Sequence, residues 1–341
     1  MQFDLLGEFA GQPLWLWAAF LSFVVFVLWL DLSVVNKHDD EISARRSTLM
    51  WASFATCSLL FGGYVYFFYE PDAAYYASAN DLSSQATVQF FTGYLLETAL
   101  AFDNIFVITM IFAFFRVPPA YQHRVLFWGI LGAIVFRAIF IGLGAAIVNQ
   151  LTWVLYIFAA ILIFSGWKML THLNEQHAAP NAGPIVRLVE RFLPVTNEIR
   201  SHNFLVRQPN AAGRMVLYAT PLLLALVTIE VADIIFAIDS VPAIFAVTRD
   251  PFIVYTSNIL AVLGLRSLYF MLASAAQRFV YLKLGLAAVL ILIGGKIIWN
   301  FLLSKELKLV PYLEAHWSLL ATLLLVGGSI IASLWSTRGK A

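Results

Sequence analysis

Five carboxylates stand in surroundings that carry almost no other charge. Glu97 and Asp103 bracket ETALAFD, and Glu230, Asp233 and Asp239 fall within IEVADIIFAIDSVPAIF. An ionised carboxylate in hydrocarbon is opposed by at least about 2.5 kcal/mol, so acids at such positions imply a partner, whether a cation, a proton or an arginine. Neutral oxygen donors lie close by in sequence: Asn104 after Asp103, Ser240 after Asp239, and Asn258 as an accessory. An oxygen-only set suits a hard divalent cation such as Mg²⁺, Ca²⁺ or Mn²⁺, whereas zinc or copper would favour imidazole or thiolate. The six histidines (His38, His123, His172, His177, His202 and His316) sit in connections or at the ends of apolar runs, and Cys57 is alone. HExxH, Walker A and GxSxG patterns are all missing, so neither an enzyme nor a resident cofactor is expected.

The elements that must position these groups are membrane helices. The chain has 341 residues, 61% hydrophobic and 12% charged, with mean hydropathy +0.82. Apolar runs long enough to cross ~30 Å of hydrocarbon recur along its length. They number nine: Pro13–Leu32, Ser47–Tyr69, Ala86–Phe115, Arg124–Val148, Trp153–Thr171, Met215–Val247, Phe252–Ser274, Leu282–Leu303 and His316–Trp335. Expected partners are therefore a lipid bilayer and a divalent metal ion; a formal charge of +1 offers no field for nucleic acid. The first run follows no basic segment or cleavage site and reads as a retained helix. Lys37, Arg45, Arg46, Arg116, Arg124, the arginines between 187 and 214, Arg278, Lys283, Arg338 and Lys340 fall in alternate connections. The others hold only Arg249, Lys305 and Lys308, which places the N-terminus outside and the C-terminus in the cytoplasm. The polar stretch from Asn174 to Gly213, with four of the chain's twelve prolines, reads as a cytoplasmic loop without periodicity.

Across that loop the sequence repeats itself. ETALAFD (97–103) aligns with DIIFAID (233–239), GILGAIVFR (129–137) with NILAVLGLR (258–266), and FAAILIFSGWK (158–168) with LAAVLILIGGK (286–296), the last with six of eleven positions identical. The offsets of 136, 129 and 128 keep the blocks in one order. Each unit holds three helices, and an odd number makes a tandem copy enter the membrane from the other side. The expected fold is thus all-α and polytopic, with an inverted 3+3 repeat of helices three to five and six to eight. Its organisation would be 1–85 (two peripheral helices), 86–173 (unit one), 174–213 (loop), 214–303 (unit two) and 304–341 (last helix and tail).

Inverted repeats bind substrate where their first helices meet. On an unbroken helix, residues six apart differ by about 240°, so Glu97 and Asp103, or Asp233 and Asp239, would not face one site. Pro242, and less centrally Pro221, suggest a break that would let them do so. Arg137 and Arg266 end equivalent blocks and read as counter-ions or gates, with substrate contact as the alternative. A bland account remains open, in which Glu97 or Asp103 pairs with Arg137 and Asp233 or Asp239 with Arg266. Lys168 and Lys296 near helix ends would snorkel, and Asp31 would be interfacial. Met110 is more readily a packing residue than a soft ligand. Trp15, Trp17 and Trp29 read as packing or interfacial aromatics.

GYLLETALAFDNIFV (93–107), EVADIIFAIDSVPAIFAVT (230–248) and NILAVLGLRSLYF (258–270) are similar to signature blocks of the TerC family of integral membrane proteins, particularly its Alx-like bacterial branch. The likeness spans about Gln89 to Phe301 and shows no departure at the motif positions. It implies export of Mn²⁺ across a bacterial inner membrane, within a family whose names refer to tellurium resistance. The site so implied comprises Glu97, Asp103 and Asn104 with Glu230, Asp233, Asp239 and Ser240. Glu230 aligns with Tyr94 and breaks the symmetry, which suggests proton coupling or gating. Three readings follow: a manganese exporter that exchanges the ion for protons, a Ca²⁺/H⁺ exchanger, and a scaffold for a metal-stress complex whose acids are merely paired.

Overall fold

The computed structural model describes residues 7–30, 44–76, 81–151, 153–171, 183–196, 202–209, 214–272 and 281–337. Among them the chain is mostly helical. The helices are α1 (Leu14–Leu30), α2 (Ala44–Phe68), α3 (Leu82–Phe114), α4 (Pro119–Gln150), α5 (Val154–Thr171), a short α6 (Gly183–Glu190), α7 (Pro221–Val247), α8 (Pro251–Leu263), α9 (Leu265–Leu272), α10 (Leu282–Ile297) and α11 (Ala315–Thr337). A π-helix, Ile298–Glu306, continues α10. Among the described residues, eight helical spans are long and apolar enough to cross a bilayer, with α8 and α9 counted as one, and α1 is a shorter apolar helix. The chain is a multi-pass membrane protein. Asp31, and the basic residues Lys37, Arg200, Arg278, Arg338 and Lys340, lie outside the described residues.

Three sequence expectations are corrected. The 174–213 stretch is not featureless: it holds α6, and β3 (Leu205–Pro209) pairs antiparallel with β4 (Met215–Ala219), numbered after a small hairpin of β1 (Glu8–Phe9) and β2 (Gln12–Pro13). Met215 therefore opens a strand, and the sixth membrane helix starts only at Pro221, where the missing N–H of proline is harmless in a first helical turn. Nor does Pro242 break α7, which runs on to Val247. Pro242 lies in the second-last turn, so it removes one internal hydrogen bond near the end of the helix, a loss that packing outweighs. Unit two is instead interrupted between α8 and α9 at Gly264 and at the π-helix after α10.

Packing between the helices that carry the aligned segments is reciprocal. α3 lies on α7, α4 on α7 as α8 on α3, and α5 on α10. The α5–α10 contact is reciprocal to the atom. A Cβ on Gly166 would stand 2.8 Å from the Ala287 carbonyl oxygen and 2.7 Å from Ile291; one on Gly294 would stand 2.9 Å from the Ala159 carbonyl oxygen and 2.8 Å from Ile163. Gly166 and Gly294, Ala159 and Ala287, and Ile163 and Ile291 are aligned pairs of the repeat. Rising numbers on one helix meet falling numbers on the other, so α5 and α10 cross antiparallel, and both glycines are required for the close approach. α1 and α2 cover α8, with Trp17 edge-on to Phe252 (5.2 Å) and Tyr69 stacked on it (5.3 Å). Trp15 and Trp29 are exposed.

Candidate functional site

Where α3, α4, α7 and α8 meet, polar groups gather inside an apolar frame. Glu97 on α3 is 2% exposed and Arg137 on α4 is 3% exposed; Arg137 Nη1 lies 2.6 Å from Glu97 Oε1. The same guanidinium reaches α7, where its Nη2 lies 3.7 Å from Asp233 Oδ1, and α8, where Nη1 donates to Asn258 Oδ1 at 3.2 Å. Asn258 is fixed in turn, as its amide donates to the Val254 carbonyl at 3.0 Å. Glu97 and Asp233 are aligned acids of the repeat, and they converge on one arginine. Glu97 Oε2, Arg137 Nε and Ser240 Oγ are buried without a hydrogen-bond partner among the described residues.

Helical geometry decides which residues share this centre. Glu97 and Asn104 are seven apart, two turns of α3, and lie on one face. Asn104 and Asp233 line a cavity of about 20 Å³ closed by Val107, Ile130, Phe236 and Leu265, enough for the centre of one water-sized particle. Glu230, one turn before Asp233, packs where α4 has no side chain: a Cβ on Gly132 would fall 2.1 Å from its Oε1. Glu230 Oε2 is buried with no partner, and among the described residues no cation stands within ion-pair distance of this carboxylate.

Asp239 does not join the centre. Because α7 is unbroken, Asp239 is turned about 240° from Asp233, and its Oδ1 accepts from Ser165 Oγ of α5 at 2.6 Å. Ser240 is buried beside it. The side chain of Asp103 lies outside the described residues. Arg266 is buried in α9, next in sequence to Leu265, which lines the cavity. Among the described residues no three Asp, Glu, His or Cys side chains are grouped as a metal cage. What meets at Arg137 is two carboxylates, Glu97 and Asp233, and the Asn258 amide oxygen; Asn104 lines the cavity with Asp233, and Glu230 stands one turn away on α7.

Two polar positions were not legible as sites in the sequence. Ser165 aligns with Ile293, so nothing in the repeat marks it. Asp250 carries a signal, since Asp-Pro at a helix start is an N-cap followed by proline at N1. It accepts from the backbone N–H groups of Phe252 (3.0 Å) and Ile253 (3.3 Å) and from the hydroxyls of Tyr69 and Tyr76, both at 2.7 Å. Burial pushes the Asp250 carboxyl above its usual range, against the pull of those four donors.

A family model described as the integral membrane protein TerC family matches residues 82–341. An "uncharacterized membrane protein" of Myxococcus xanthus is 43% identical over 96% of this chain and 94% of its own length. The "Putative membrane-bound redox modulator Alx" of Salmonella typhi is 43% identical over 84% of this chain and 86% of its own length, and the protein of the same name in Escherichia coli K12 is 42% identical over 84% and 86%. No solved structure matches the chain.

Proposed function

The chain belongs to the TerC family of integral membrane proteins, and from that premise we propose that it exports Mn²⁺ from the cytoplasm across a bacterial inner membrane, in exchange for protons. The observation that supports this most is the meeting of Glu97 and Asp233 at Arg137, beside a cavity that Asp233 and Asn104 line. Two carboxylates meet one guanidinium there, with Glu230 one turn away from Asp233, and a divalent cation in the cavity would balance the surplus. Arg137 is then the gate: it holds Asp233 when the cation is absent and yields it when the cation enters. Asp239 and Ser240 form a second station further along α7. Carboxylates released by the ion take up protons, which supplies the counter-flow.

The reciprocal α5–α10 contact supports an inverted repeat, because a two-fold axis is the simplest operation that exchanges aligned glycines across an antiparallel crossing. With this topology the basic connections put the N-terminus outside and the C-terminus inside. The relatives' name, redox modulator, fits manganese better than calcium or magnesium, since of the three only manganese changes oxidation state readily. A second reading draws support from the same Arg137 contact: acids that are simply paired would make a scaffold, with nothing transported.

Efflux decides between them. Proteoliposomes loaded with ⁵⁴Mn²⁺ should lose it through the wild-type chain and keep it with Asp233→Asn or Asp239→Asn. Efflux by the variants at the wild-type rate would overturn the site, release of Ca²⁺ but not Mn²⁺ would favour the calcium exchanger, and no flux of either ion through the wild type would favour the scaffold.

A further inference from the structure

Arg249 and Lys305 are 56 residues apart in sequence, yet they flank one aromatic ring. Arg249 Cζ lies 4.6 Å and Lys305 Nζ 5.9 Å from the centre of Phe301. With Lys296 they line a cavity of about 890 Å³ where α7 ends and α10 passes into its π-helix. Arg249 and Lys305 are two of the three basic residues that the sequence assigns to the outer connections, joined by a third cation, Lys296, from the helix wall. Like charges repel, so their gathering calls for a counter-charge.

The protein supplies little of it. The acids on the cavity wall are Asp81 and Glu314. Asp81 caps α3, accepting from the Ser84 N–H at 3.4 Å, and Glu314 is exposed and pairs with His316 at 3.1 Å. No acid acts on Lys296, and Arg249 Nη2 is buried without a hydrogen-bond partner among the described residues. Gln89 Oε1, also on the wall, is a buried acceptor with no donor. The residues that carry these two cations and this acceptor therefore line a space far larger than a single ion needs.

The wall is also built. A π-turn is rare and recurs at functional sites. Here it is strapped to the segment that follows: Asn300 donates to the Leu313 carbonyl at 2.9 Å and accepts from the Leu313 N–H at 2.8 Å, and Trp299 donates to the Pro311 carbonyl at 2.9 Å. That clamp holds Tyr312 and Phe301 as aromatic walls between the cations.

We propose that this cavity binds a phosphate group, free or on a lipid headgroup, with Arg249 and Lys296 neutralising its oxygens and Gln89 accepting a hydroxyl from the ligand. Arg249 supplies a planar fork and Lys296 a point charge, the two donor geometries that phosphate oxygens accept. The site is independent of the cation centre and of the transport reading.

The test uses the full chain. Melting is followed in neutral detergent during titration with sodium phosphate, and in phosphatidylcholine nanodiscs with and without phosphatidylglycerol. The wild type should be stabilised by at least one of them, with an effect that weakens as salt rises. R249Q/K296Q should bind at least ~10-fold more weakly, the loss expected when charge-assisted hydrogen bonds are removed. K168Q, which removes the same charge from the aligned lysine of the other unit, should respond as wild type. A response to phosphate in detergent identifies a soluble ligand, and a response to phosphatidylglycerol alone identifies the headgroup. No response of the wild type to either, or an equal response from R249Q/K296Q, overturns the proposal. Should the double variant fail to fold, K296Q alone carries the same comparison.

Discussion

α4 and the α8–α9 pair occupy aligned places in the repeat, yet they live in different solvents. In α4 only 33% of the most apolar stretch is buried, and Trp128, Val135, Ile139 and Leu143 face outward; in α8–α9 the figure is 94%. The cause lies outside the repeat: α1 and α2 cover α8–α9, with Trp17, Phe20 and Phe61 around Phe252. The two aligned segments thus carry similar charge patterns, and the helices around them decide which becomes core and which meets lipid. The lipid-facing copy nonetheless turns its arginine inward. Arg137 is only 3% exposed, because Glu97, Asp233 and Asn258 hold it there.

The sharpest way to break this comparison is to remove that cation. Arg137→Met should destabilise the chain by about 3–5 kcal/mol, since it leaves two buried carboxylates without a counter-charge. Adding Glu97→Gln and Asp233→Asn should recover most of the loss in detergent melts. A triple variant as unstable as the single one would show that Arg137 acts through packing alone.

The reciprocal α5–α10 contact predicts matched effects. Gly166→Ala and Gly294→Ala should each be destabilising by about 1–3 kcal/mol, because each new methyl meets a backbone carbonyl that cannot step aside. Unequal losses, by more than a factor of two, would mean that one crossing is loose. Gly264→Ala is the control from the unmatched break: its Cβ would meet nothing nearer than 3.5 Å, so the change should be close to neutral.

How much of this could be read from the chain follows from what each feature depends on. Membrane class, the apolar runs and the aligned acids are matters of composition and spacing, so they were visible. The break was misplaced, because proline is a strong local signal whereas Gly264 interrupts α8–α9 only in a setting that Trp51 and Phe54 of α2 help to create. The 205–219 hairpin was hidden because its apolar alternation merges into the α7 run. The Asp239–Ser165 contact depends on how α5 is rotated, which no pattern within α5 encodes.

Asp250 offers a smaller test at the end of α8. Asp250→Ala should be destabilising by about 0.5–2 kcal/mol through loss of the cap, and Asp250→Asn by much less, since asparagine caps well. Burial raises this carboxyl in the folded chain, so between about pH 4 and the raised value the folded state holds more protons than the unfolded one. Its contribution is therefore greatest in acid and is lost as pH rises through the folded pKa. Melts of Asp250→Asn against pH should lack that component, and an unchanged pH profile would remove Asp250 from the account. Gly132→Ala should cost little stability, since Glu230 can swing aside; its effect should fall on the efflux rate instead.

The central claim is that a divalent cation lodges between α3, α4 and α7 and competes with Arg137 for Asp233. Anomalous diffraction at the manganese edge from crystals grown with Mn²⁺ tests it most directly. The account predicts a single strong peak in the cavity lined by Asn104 and Asp233, with Arg137 moved away from Asp233 and still bound to Glu97. A manganese-saturated crystal with no peak there, and with Arg137 still joined to both acids, would contradict it.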